Sequence, residues 1–508
     1  MQHAQHNNTP APFSFPGGLD DLKAQVLVVG AGAAGVSAAI SAARTGADTV
    51  LIEGAGFLGG ISATLPWLGF HDREYRQVVK GFAAECVDRL AASGHASGYV
   101  FDPKCGSLAS LDSHMWKCLA MELAQAAGVR VLLHTQCVDT IREGDRIAGV
   151  IVHHKSGFQR ILADVTVDTS GDGDVAARGG VDWEKGRTAD GLVQAPTLVF
   201  RLGGLNRTAF VAACKDPANI YREWFRENPA LFDKFTSHLD SISTFVLGGF
   251  AALIERARAA GDFLSPQTRI VGVKTHADDE ISVVMTRVLG LDPTDVQSMS
   301  NAYAKVYEQI PPLVAFFQKY VPGCEQSRLV EIAPMLGVRE SRRIMGDHVL
   351  TMEEMVEGVR HPDGVAMGGY HIDIHRPKGT WVESHNVQAY TIPLRSLIAR
   401  DVDGLMMAGK CISATHEAIA GTRVIPICMA EGEAVGVTAA FAALHGSDVR
   451  SVSVSAVQDR LIATGAELGQ SLGGPNHAAI ESFGQLPMEE PPTEGDCDPV
   501  SASETAWV

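Results

Sequence analysis

A glycine-rich turn near the N-terminus limits what this chain can fold into more than any other feature does. The apolar run QVLVV at 25–29 is typical of a strand buried on both faces of a sheet. It runs directly into GAGAAGVSAAISAARTG, a helix of small residues, and the next strand, DTVLIE, ends at Glu53. Gly30, Gly32 and Gly35 therefore lie between a strand and a helix, at the spacing of a dinucleotide-binding βαβ unit.

Each glycine in this turn has a physical role. Gly30 permits the tight turn, Gly32 lets the backbone approach a pyrophosphate, and Gly35 lets the helix pack closely on the strand. Ala33 and Ala34 lie at the start of the helix, where N–H groups lack helical partners and the helix dipole is positive. Such a helix start is suited to holding phosphates. The pattern predicts an α/β protein with a Rossmann-like domain.

The residues after the second strand extend this site. The Glu53 carboxylate can accept hydrogen bonds from a ribose hydroxyl group. Gly54 follows it directly, and Gly59 and Gly60 in the stretch GAGFLGG allow the backbone to approach a ligand closely. The alternative, glycines at an ordinary helix start, does not explain the acid that ends the second strand.

Length and charge restrict the class of protein. A chain of 508 residues predicts two or three domains, and 46% hydrophobic with 20% charged residues is typical of globular proteins with large cores. The chain has 42 Lys and Arg residues and 59 Asp and Glu residues, which gives a formal charge of −17. This balance argues against nucleic acid or an anionic membrane surface as the main partner. A local arginine cluster can still bind a small anion.

The cysteines and the hydropathy pattern indicate the cellular location of the protein. The nine cysteines are scattered without a C-x-x-C pair, which is typical of reduced thiols. The first 18 residues have no Lys or Arg and no apolar run of signal-peptide length. The most apolar long stretch, at 419–444, contains Arg423, Pro426, Glu431 and Glu433, which predicts a buried helix. We expect a cytoplasmic protein without an integral membrane segment.

The pattern of elements changes along the chain. The segment 72–127 is predicted to be mainly helical, 129–135 a strand, and 145–174 a β-meander that returns to the sheet. Beyond these, helices and strands alternate without a second glycine fingerprint, until YTIPLRSLI, GLMMAGK and a long helix indicate a return to the first domain. We expect a flexible leader at 1–23, a dinucleotide-binding domain in two parts at 24–180 and 386–450, an inserted substrate domain at 181–385, and a partly disordered C-terminal extension at 451–508.

Several longer motifs together carry a family resemblance. VVGAGAAGVSAAISAARTGADTVLIE, LGG, DTSGDGDVAA, GVRESRRIMGDHVLT, GGYHIDIHRP and MMAGKCISATHEAIAGTRVIPICMAEGEAVG follow one another in this order. In this combination the chain resembles the FAD-dependent oxidoreductase family, flavoproteins with two dinucleotide-binding domains that are distantly related to fumarate reductase flavoproteins. The resemblance spans residues 24–445, and its later motifs are the more specific ones. It implies a Rossmann-like FAD-binding domain with an inserted α+β substrate domain.

The resemblance also implies contacts to the cofactor. The fingerprint glycines would hold the FAD pyrophosphate, the acid would hold the adenosine ribose, and the later glycine pair would run beneath the pyrophosphate. Further contacts are implied for Cys137 near the adenine, Gly171 and Asp172 near the adenosine half, Gly409 near the pyrophosphate, and Gly432 in a helix whose N-terminal end points at the flavin.

The mode of FAD attachment is the next expectation. Relatives with covalent flavin attach it through a His or Cys near the glycine loops. No residue of this sequence clearly matches that place, so non-covalent FAD is expected, with His71 the nearest candidate for a covalent bond. No bound metal is expected.

An arginine-rich stretch, GVRESRRIMGDH, holds Arg339, Glu340, Arg342 and Arg343 within five residues. A guanidinium presents a planar fork to a carboxylate, so Arg339 and Arg342 are candidates for binding an anionic substrate or donating a proton. The alternative, a solvated run of charges, remains open.

Two further candidates lie before the C-terminal helix of the FAD domain. In the resembling family this region lies over the flavin, which makes His416 a candidate to line the site and Arg423 a candidate to clamp an anion or the flavin. The alternatives, a capping or core histidine and a structural ion pair, remain open.

The stretch GGYHIDIHR alternates with a period of two, which places His371, Asp373 and His375 on one face of a strand. This face has three interpretations: a metal site, a solvated strand face, or contact with substrate or flavin. No other His or Cys cluster shows metal-ligand spacing in the sequence. Contact is favoured, with His371 or His375 moving a proton.

The expected function is that of an FAD-dependent oxidoreductase. A small polar, or anionic, substrate would lose a hydride to the flavin while a His or Arg handles the proton, and the reverse reaction would reduce an activated alkene. The alternatives are a flavin monooxygenase or NAD(P)H-linked reductase, an FAD-binding electron-transfer subunit, and a metal-dependent hydrolase using the H-x-D-x-H strand. An unidentified electron acceptor and a second copy in a homo-oligomer are the other expected partners.

Overall fold

Helices and strands alternate along the computed structural model, which describes residues 19–65, 67–221, 225, 230–379 and 382–476. The first part contains β1 (Leu22–Val29), α1 (Ala33–Arg44), β2 (Thr49–Ile52), α2 (Phe82–Ala92), β3 (Val100–Asp102), β4 (Gly106–Leu108), α3 (Ser113–Ala126), β5 (Arg130–Leu132), β6 (Gln136–Glu143), β7 (Arg146–His154), β8 (Gly157–Asp168) and α4 (Asp174–Arg178). The middle contains β9 (Trp183–Lys185), β10 (Phe200–Gly203), α5 (Arg207–Lys215), α6 (Ala230–His238), β11 (Phe245–Gly249), α7 (Ala251–Ala259), β12 (Ile270–Lys274), β13 (Glu280–Val283), α8 (Val296–Tyr320), β14 (Arg328–Ile332), β15 (Arg342–Ile344), α9 (Met352–Glu357), β16 (Gly364–Gly368), β17 (Ile372–His375) and β18 (Val382–His385). The last part contains β19 (Tyr390–Pro393), β20 (Leu405–Met407), α10 (Ile419–Thr422), α11 (Ile425–His445) and α12 (Val454–Ala463).

A seven-stranded sheet carries the glycine turn. Strands β5, β2, β1 and β8 run parallel in that order, and β20 returns from the last part of the chain to pair in parallel with β8. The antiparallel strands β7 and β6 complete the sheet, as the predicted meander requires. Val29 pairs with both Ile52 and Asp168, so the carboxyl ends of three strands meet where the glycine turn begins. The predicted Rossmann-like α/β fold is confirmed.

Helices α1 and α11 cross at very short range against this sheet. A Cβ atom on Gly432 would lie 2.1 Å from the Ala34 carbonyl oxygen, and one on Gly436 would lie 2.3 Å from that of Ala38. Both glycines lie on one face of α11 because they are four residues apart. Any side chain at these positions would push the helices apart, so the glycines are required by packing.

The apolar character of α11 comes from this buried position. Among the described residues, Ile425–His445 is the helix that is long and apolar enough to cross a membrane by length and composition. However, 83% of its apolar window is buried inside the protein. The expectation of a buried helix at this place agrees with the structure.

The inserted part has its own antiparallel sheet, in the order β11–β12–β13–β10–β14. The 25-residue helix α8 lies between β13 and β14 in the chain, so the predicted α+β insertion is present. The prediction of mainly helix at 72–127 needs correction, because strands β3 and β4 form a hairpin there. Leu108 of that hairpin packs against Val246 and Val273 of the inserted sheet, which explains why an apolar strand forms between two helices.

Two structural features bear on the expected segment boundaries, which stay a prediction. Strand β16 pairs with β19, so the pairing crosses the expected boundary between 385 and 386. Helix α12 lies inside the expected C-terminal extension, with Ser453 as its N-cap. The expected leader, apart from 19–23, and the extension beyond residue 476 lie outside the described residues.

Candidate active site

A cavity of about 850 Å³ extends from the glycine turn to the inserted sheet. Its volume is near the upper end of the range for ligand sites, roughly 300–1,000 Å³. Both parts of the FAD domain and the inserted domain contribute to its wall. Many sequence-predicted residues line it: Gly30, Gly32, Ala33, Ala34, Glu53, Gly60, Gly171, Asp172, Gly409, Arg339, His375 and Arg423.

The glycine turn forms an open cradle at one end of the cavity. Gly30 has a φ of +97° and Gly35 lies so close to it that a Cβ atom would be 1.8 Å from the Gly30 carbonyl oxygen. In contrast, a Cβ atom on Gly32 would meet nothing within 4 Å. Gly32 is also the N-cap of α1 and provides no side-chain cap. The uncapped N–H groups of α1 therefore face open space suited to a pyrophosphate.

Glu53 is held in place at the edge of the cradle. Its Oε2 accepts the Ala31 N–H at 2.7 Å, and its Oε1 accepts the Ala55 N–H at 2.7 Å. Each carboxylate oxygen can accept a second hydrogen bond. The carboxylate lines the cavity and can take the ribose hydroxyl groups of a dinucleotide.

The opposite wall of the cradle contains a lysine that the sequence analysis missed. Lys410 lines the cavity, donates from Nζ to the Gly171 carbonyl oxygen at 2.6 Å, and pairs with the Asp172 carboxylate. The Gly409 N–H donates to the buried Glu431 at 2.7 Å. Burial raises the pKa of Glu431 well above its ordinary value. Lys410 comes directly after Gly409 in the turn that follows β20, and this position was the sequence signal that could have identified it.

Two predicted cofactor residues lie behind the wall near Glu53. A Cβ atom on Gly54 would lie 2.2 Å from the Gln136 amide nitrogen, so this glycine makes room for a side chain. Cys137 is on β6, with its Sγ 3.6 Å from the Asp139 carbonyl oxygen. Neither residue lines the cavity, so the structure does not bring them into the cradle.

Two other predicted glycines have packing roles. Gly59, with φ +104°, faces the Trp116 indole nitrogen, which would lie 2.6 Å from a Cβ atom. Gly432 faces Ala34 across the helix crossing and does not line the cavity. The N-terminal end of α11 does reach it, through Ile425 and Cys428. Close helix packing explains the glycine at 432, and its predicted role in cofactor binding stays a prediction.

Three arginines from distant parts of the chain meet at the other end of the cavity: Arg287, Arg339 and Arg423. Among the described residues, no carboxylate oxygen lies within the 4.0 Å salt-bridge distance of any of them. They bond instead to carbonyl oxygens, and the Nε atoms of Arg287 and Arg423 are buried without a hydrogen-bond partner. Burial, followed by repulsion from Arg423, lowers the pKa of Arg339. This end of the cavity has an excess of positive charge.

A carboxylate–imidazole pair lies beside the arginines. His375 Nε2 is 3.0 Å from Asp373 Oδ2, and both residues line the cavity. Burial raises the pKa of Asp373, but its interaction with His375 outweighs this effect and holds the pKa well below the ordinary value. Burial, and then the charge of Arg339, lowers the pKa of His375 to about 3. The ionised Asp373 therefore accepts from Nε2–H, and Nδ1 keeps its lone pair.

Gln194 positions this pair and was not found from the sequence. It is fully buried, and its Oε1 accepts the His375 backbone N–H at 3.2 Å and Arg423 Nη2 at 3.4 Å. Its own N–H donates to Glu340 Oε2 at 3.1 Å. An isolated glutamine in a loop gave no pattern that could have identified it.

Two predicted catalytic residues lie away from the cavity. Arg342 donates to Asp174 Oδ1 and to the Asp172 carbonyl oxygen, both at 2.9 Å. His416 lies 2.9 Å from the buried Glu340, which also pairs with Arg343. Neither side chain lines the cavity, and these contacts support the backbone that presents Arg339, so a substrate contact by Arg342 or His416 stays a prediction.

The structure also separates the two histidines of the H-x-D-x-H motif. His371 precedes β17, is buried, and stacks on Tyr370 with ring centroids 4.2 Å apart. It does not line the cavity, unlike His375. His71, the candidate for covalent attachment, is also buried outside the cavity, with its Nδ1 2.8 Å from Ser107 Oγ.

Comparisons with known proteins identify a family and several structures of similar fold. The family model described as FAD dependent oxidoreductase matches residues 25–461. No curated protein sequence matches the chain.

Three of the solved structures that match are a brominase, a monooxygenase and a fumarate reductase. A flavin-dependent brominase, Bmp2, has 14% sequence identity over 86% of this chain and 83% of its own, with a TM-score of 0.42. The p-nitrophenol 4-monooxygenase of Pseudomonas putida DLL-E4 has 10% identity over 92% and 91%, with a TM-score of 0.42. The open form of a flavocytochrome c3 fumarate reductase has 14% identity over 83% and 79%, with a TM-score of 0.36. At these values the likenesses carry no inference about substrate.

Proposed function

The chain belongs to the FAD-dependent oxidoreductase family, and we propose that it transfers a hydride between non-covalent FAD and a small organic carboxylate. One observation carries the choice of substrate: Arg287, Arg339 and Arg423 line the cavity without carboxylate partners among the described residues. When FAD is bound, it would accept or donate the hydride.

The charge at this end of the cavity favours an anion. A buried guanidinium is costly unless it is paired, and the unpartnered Nε atoms of Arg287 and Arg423 are donors that a carboxylate could accept from. Arginine binds carboxylates through two parallel hydrogen bonds, which orient the anion as well as hold it. This local field overcomes the overall charge of −17.

His375 is suited to hold or move the proton that accompanies the hydride. Asp373 fixes its ring and tautomer, so Nδ1 is left as the acceptor. The charge of Arg339 lowers the pKa of His375. A substrate carboxylate that neutralises this charge would make the imidazole a stronger base, so substrate binding and proton acceptance are linked.

Cytoplasmic location remains part of the proposal. The eight cysteines in the described part of the chain are all free thiols, which supports a reducing compartment.

The test is anaerobic reduction of the FAD-loaded protein by small carboxylates, followed by flavin absorbance. We expect that an Arg339→Gln variant retains FAD but needs a substrate concentration at least about 10-fold higher for half-maximal bleaching, because one charge-assisted hydrogen-bond donor is lost. The matched control is Arg376→Gln. Arg376 is an exposed arginine paired with Glu383, and its side chain does not line the cavity.

Other outcomes would indicate a different enzyme. Bleaching by NADPH with oxygen uptake, and none by any carboxylate, would indicate a monooxygenase or NAD(P)H-linked reductase. Equal effects of Arg339→Gln and Arg376→Gln would contradict the arginine site. A protein that binds no FAD would contradict the whole assignment.

A further inference from the structure

Three metal-ligating side chains meet at a place outside the FAD cavity. His348 follows β15, Glu354 lies in α9, and His361 lies in the turn after α9. Their ligand atoms all lie within 4.8 Å of one another. No residue of this cluster lines the cavity, and no role in the proposed reaction uses it. The sequence analysis expected no metal, because these three residues are spaced by five and six others and match no common ligand pattern.

The fold fixes the carboxylate of this cluster. Thr351 caps α9 in a capping box, in which its backbone N–H donates to Glu354 Oε2 at 2.8 Å and its side chain accepts the Glu354 N–H. The remaining oxygen, Oε1, faces both imidazoles. It is 3.0 Å from His348 Nε2 and 3.5 Å from His361 Nε2. Two imidazole nitrogens therefore converge on one carboxylate oxygen.

The backbones that carry the two histidines are also held. The His348 N–H donates to the Arg395 carbonyl oxygen at 3.2 Å. The His361 N–H donates to Thr391 Oγ1 at 2.8 Å. The main chain at both histidines is therefore fixed independently of the Glu354 carboxylate. The three side chains form a preorganised set rather than a chance contact of mobile side chains.

An independent observation points to a ligand. The His361 side chain is only 9% exposed, and its Nε2 is buried without a hydrogen-bond partner in the described part of the chain. A buried polar atom without a partner is costly, and in native proteins it usually has a water or ion.

The distances fit a small transition-metal ion. Tetrahedral zinc with bonds of about 2.0–2.2 Å places its ligand atoms roughly 3.3–3.5 Å apart. Of the two separations from Glu354 Oε1, the 3.5 Å to His361 Nε2 lies at the upper end of this range and the 3.0 Å to His348 Nε2 lies just below it. We propose that His348 Nε2, Glu354 Oε1 and His361 Nε2 bind one Zn²⁺ ion, with water in the fourth position. The ion would join the segments on either side of α9 to the helix itself.

The test is metal binding by the full chain, expressed without a histidine tag, treated with a chelator and then supplied with Zn²⁺. We expect one zinc per chain, and a thermal midpoint that rises with added Zn²⁺ because the ion binds the folded state. His361→Gln should lose the bound zinc or weaken its binding by at least about 10-fold, and should abolish this rise. Cobalt in the unsubstituted chain should give the visible bands of tetrahedral Co²⁺, a readout that needs no variant.

The chain offers a matched control. His385 lies 2.9 Å from Glu383, so it forms a His–Glu pair of the same kind without a third ligand. His385→Gln should bind zinc as the unsubstituted chain does. A chain that takes up no stoichiometric zinc and gives no Co²⁺ bands would overturn the proposal, and so would equal loss of zinc in both variants. FAD content, measured in parallel, is expected to be unchanged, so the result does not depend on the flavin chemistry.

Discussion

At the scale of single residues, the arginine end of the cavity shows charge that the protein does not neutralise. Asp373 is the acid nearest to these guanidinium groups, and its carboxylate is already bonded to His375. Buried hydrogen-bond donors in a folded protein rarely lack an acceptor unless a ligand provides one. The pair and the arginines therefore belong to one site, in which the anion is held by the arginines and the proton by His375.

The first residue-scale prediction concerns that proton. His375→Ala should lower the rate of substrate-dependent flavin reduction by about 10²–10⁴-fold, because the acceptor at Nδ1 is lost. FAD content should not change. His371→Phe is the comparison, since it keeps the ring that stacks on Tyr370 and removes only nitrogens without hydrogen-bond partners in the described part of the chain. It should reduce its flavin at the unsubstituted rate. If the His375→Ala variant reduced its flavin at the normal rate, the role of β17 would be structural and not catalytic.

Sequence reasoning found the site only in part, and the reason is visible at individual residues. Arg339 and Arg423 lie in motifs, whereas Arg287 follows β13 in TRVLG, where nothing distinguishes it from a surface arginine. Arg342 is three residues from Arg339 in sequence but pairs with Asp174 instead. Only the tertiary fold decides which arginines share a cavity, because the three come from separate elements.

At the scale of elements, the crossing of α1 and α11 positions the cofactor cradle. Local patterns predicted both helices: the glycine turn defined α1, and the apolar run defined α11. Their contact could not be derived from local patterns, because small residues on two helices do not say which helices meet. The β3–β4 hairpin was missed for a similar reason, since its contact with the inserted sheet favours strand over helix.

Two glycine variants separate packing from cofactor binding. Gly432→Ala should lower both stability, by about 1–3 kcal/mol, and FAD content, because its Cβ would lie 2.1 Å from the Ala34 carbonyl oxygen and displace α1. Gly32→Ala should fold normally, because its Cβ meets no atom within 4 Å and projects into the cradle, yet should bind FAD weakly. Thermal midpoints of the FAD-free proteins and flavin titrations measure the two effects. Equal apo stability in both variants would argue against the packing role of Gly432.

At the scale of the whole molecule, one buried acid joins three separate segments. Glu433 on α11 accepts the Phe82 N–H at the start of α2 and the Thr464 hydroxyl after α12. Burial raises its pKa from 4.5 to about 7. The folded chain therefore holds this proton at pH values where the unfolded chain has lost it.

A pH dependence of stability follows. Because the folded state binds the extra proton between pH 4.5 and about 7, this group makes the free energy of unfolding fall as the pH rises through that window. The total is on the order of 3 kcal/mol. Glu433→Gln should remove the fall, so it should stabilise the protein more at about pH 8 than at about pH 5 in thermal or urea unfolding. The exposed Glu308→Gln should show no such difference. A constant effect of Glu433→Gln at both pH values would contradict the raised pKa.

The helix crossing has a further consequence for how the protein is made. Helix α1 leaves the ribosome early, with the small-residue face that α11 later covers still open to water. Its partner is synthesised only after the whole inserted domain, so this contact joins the two most distant parts of the FAD domain. Closing such a long loop slows folding more than it costs stability. We therefore expect FAD to bind late in biosynthesis. While only the N-terminal part of the chain has been made, its exposed apolar surface is what a chaperone would protect.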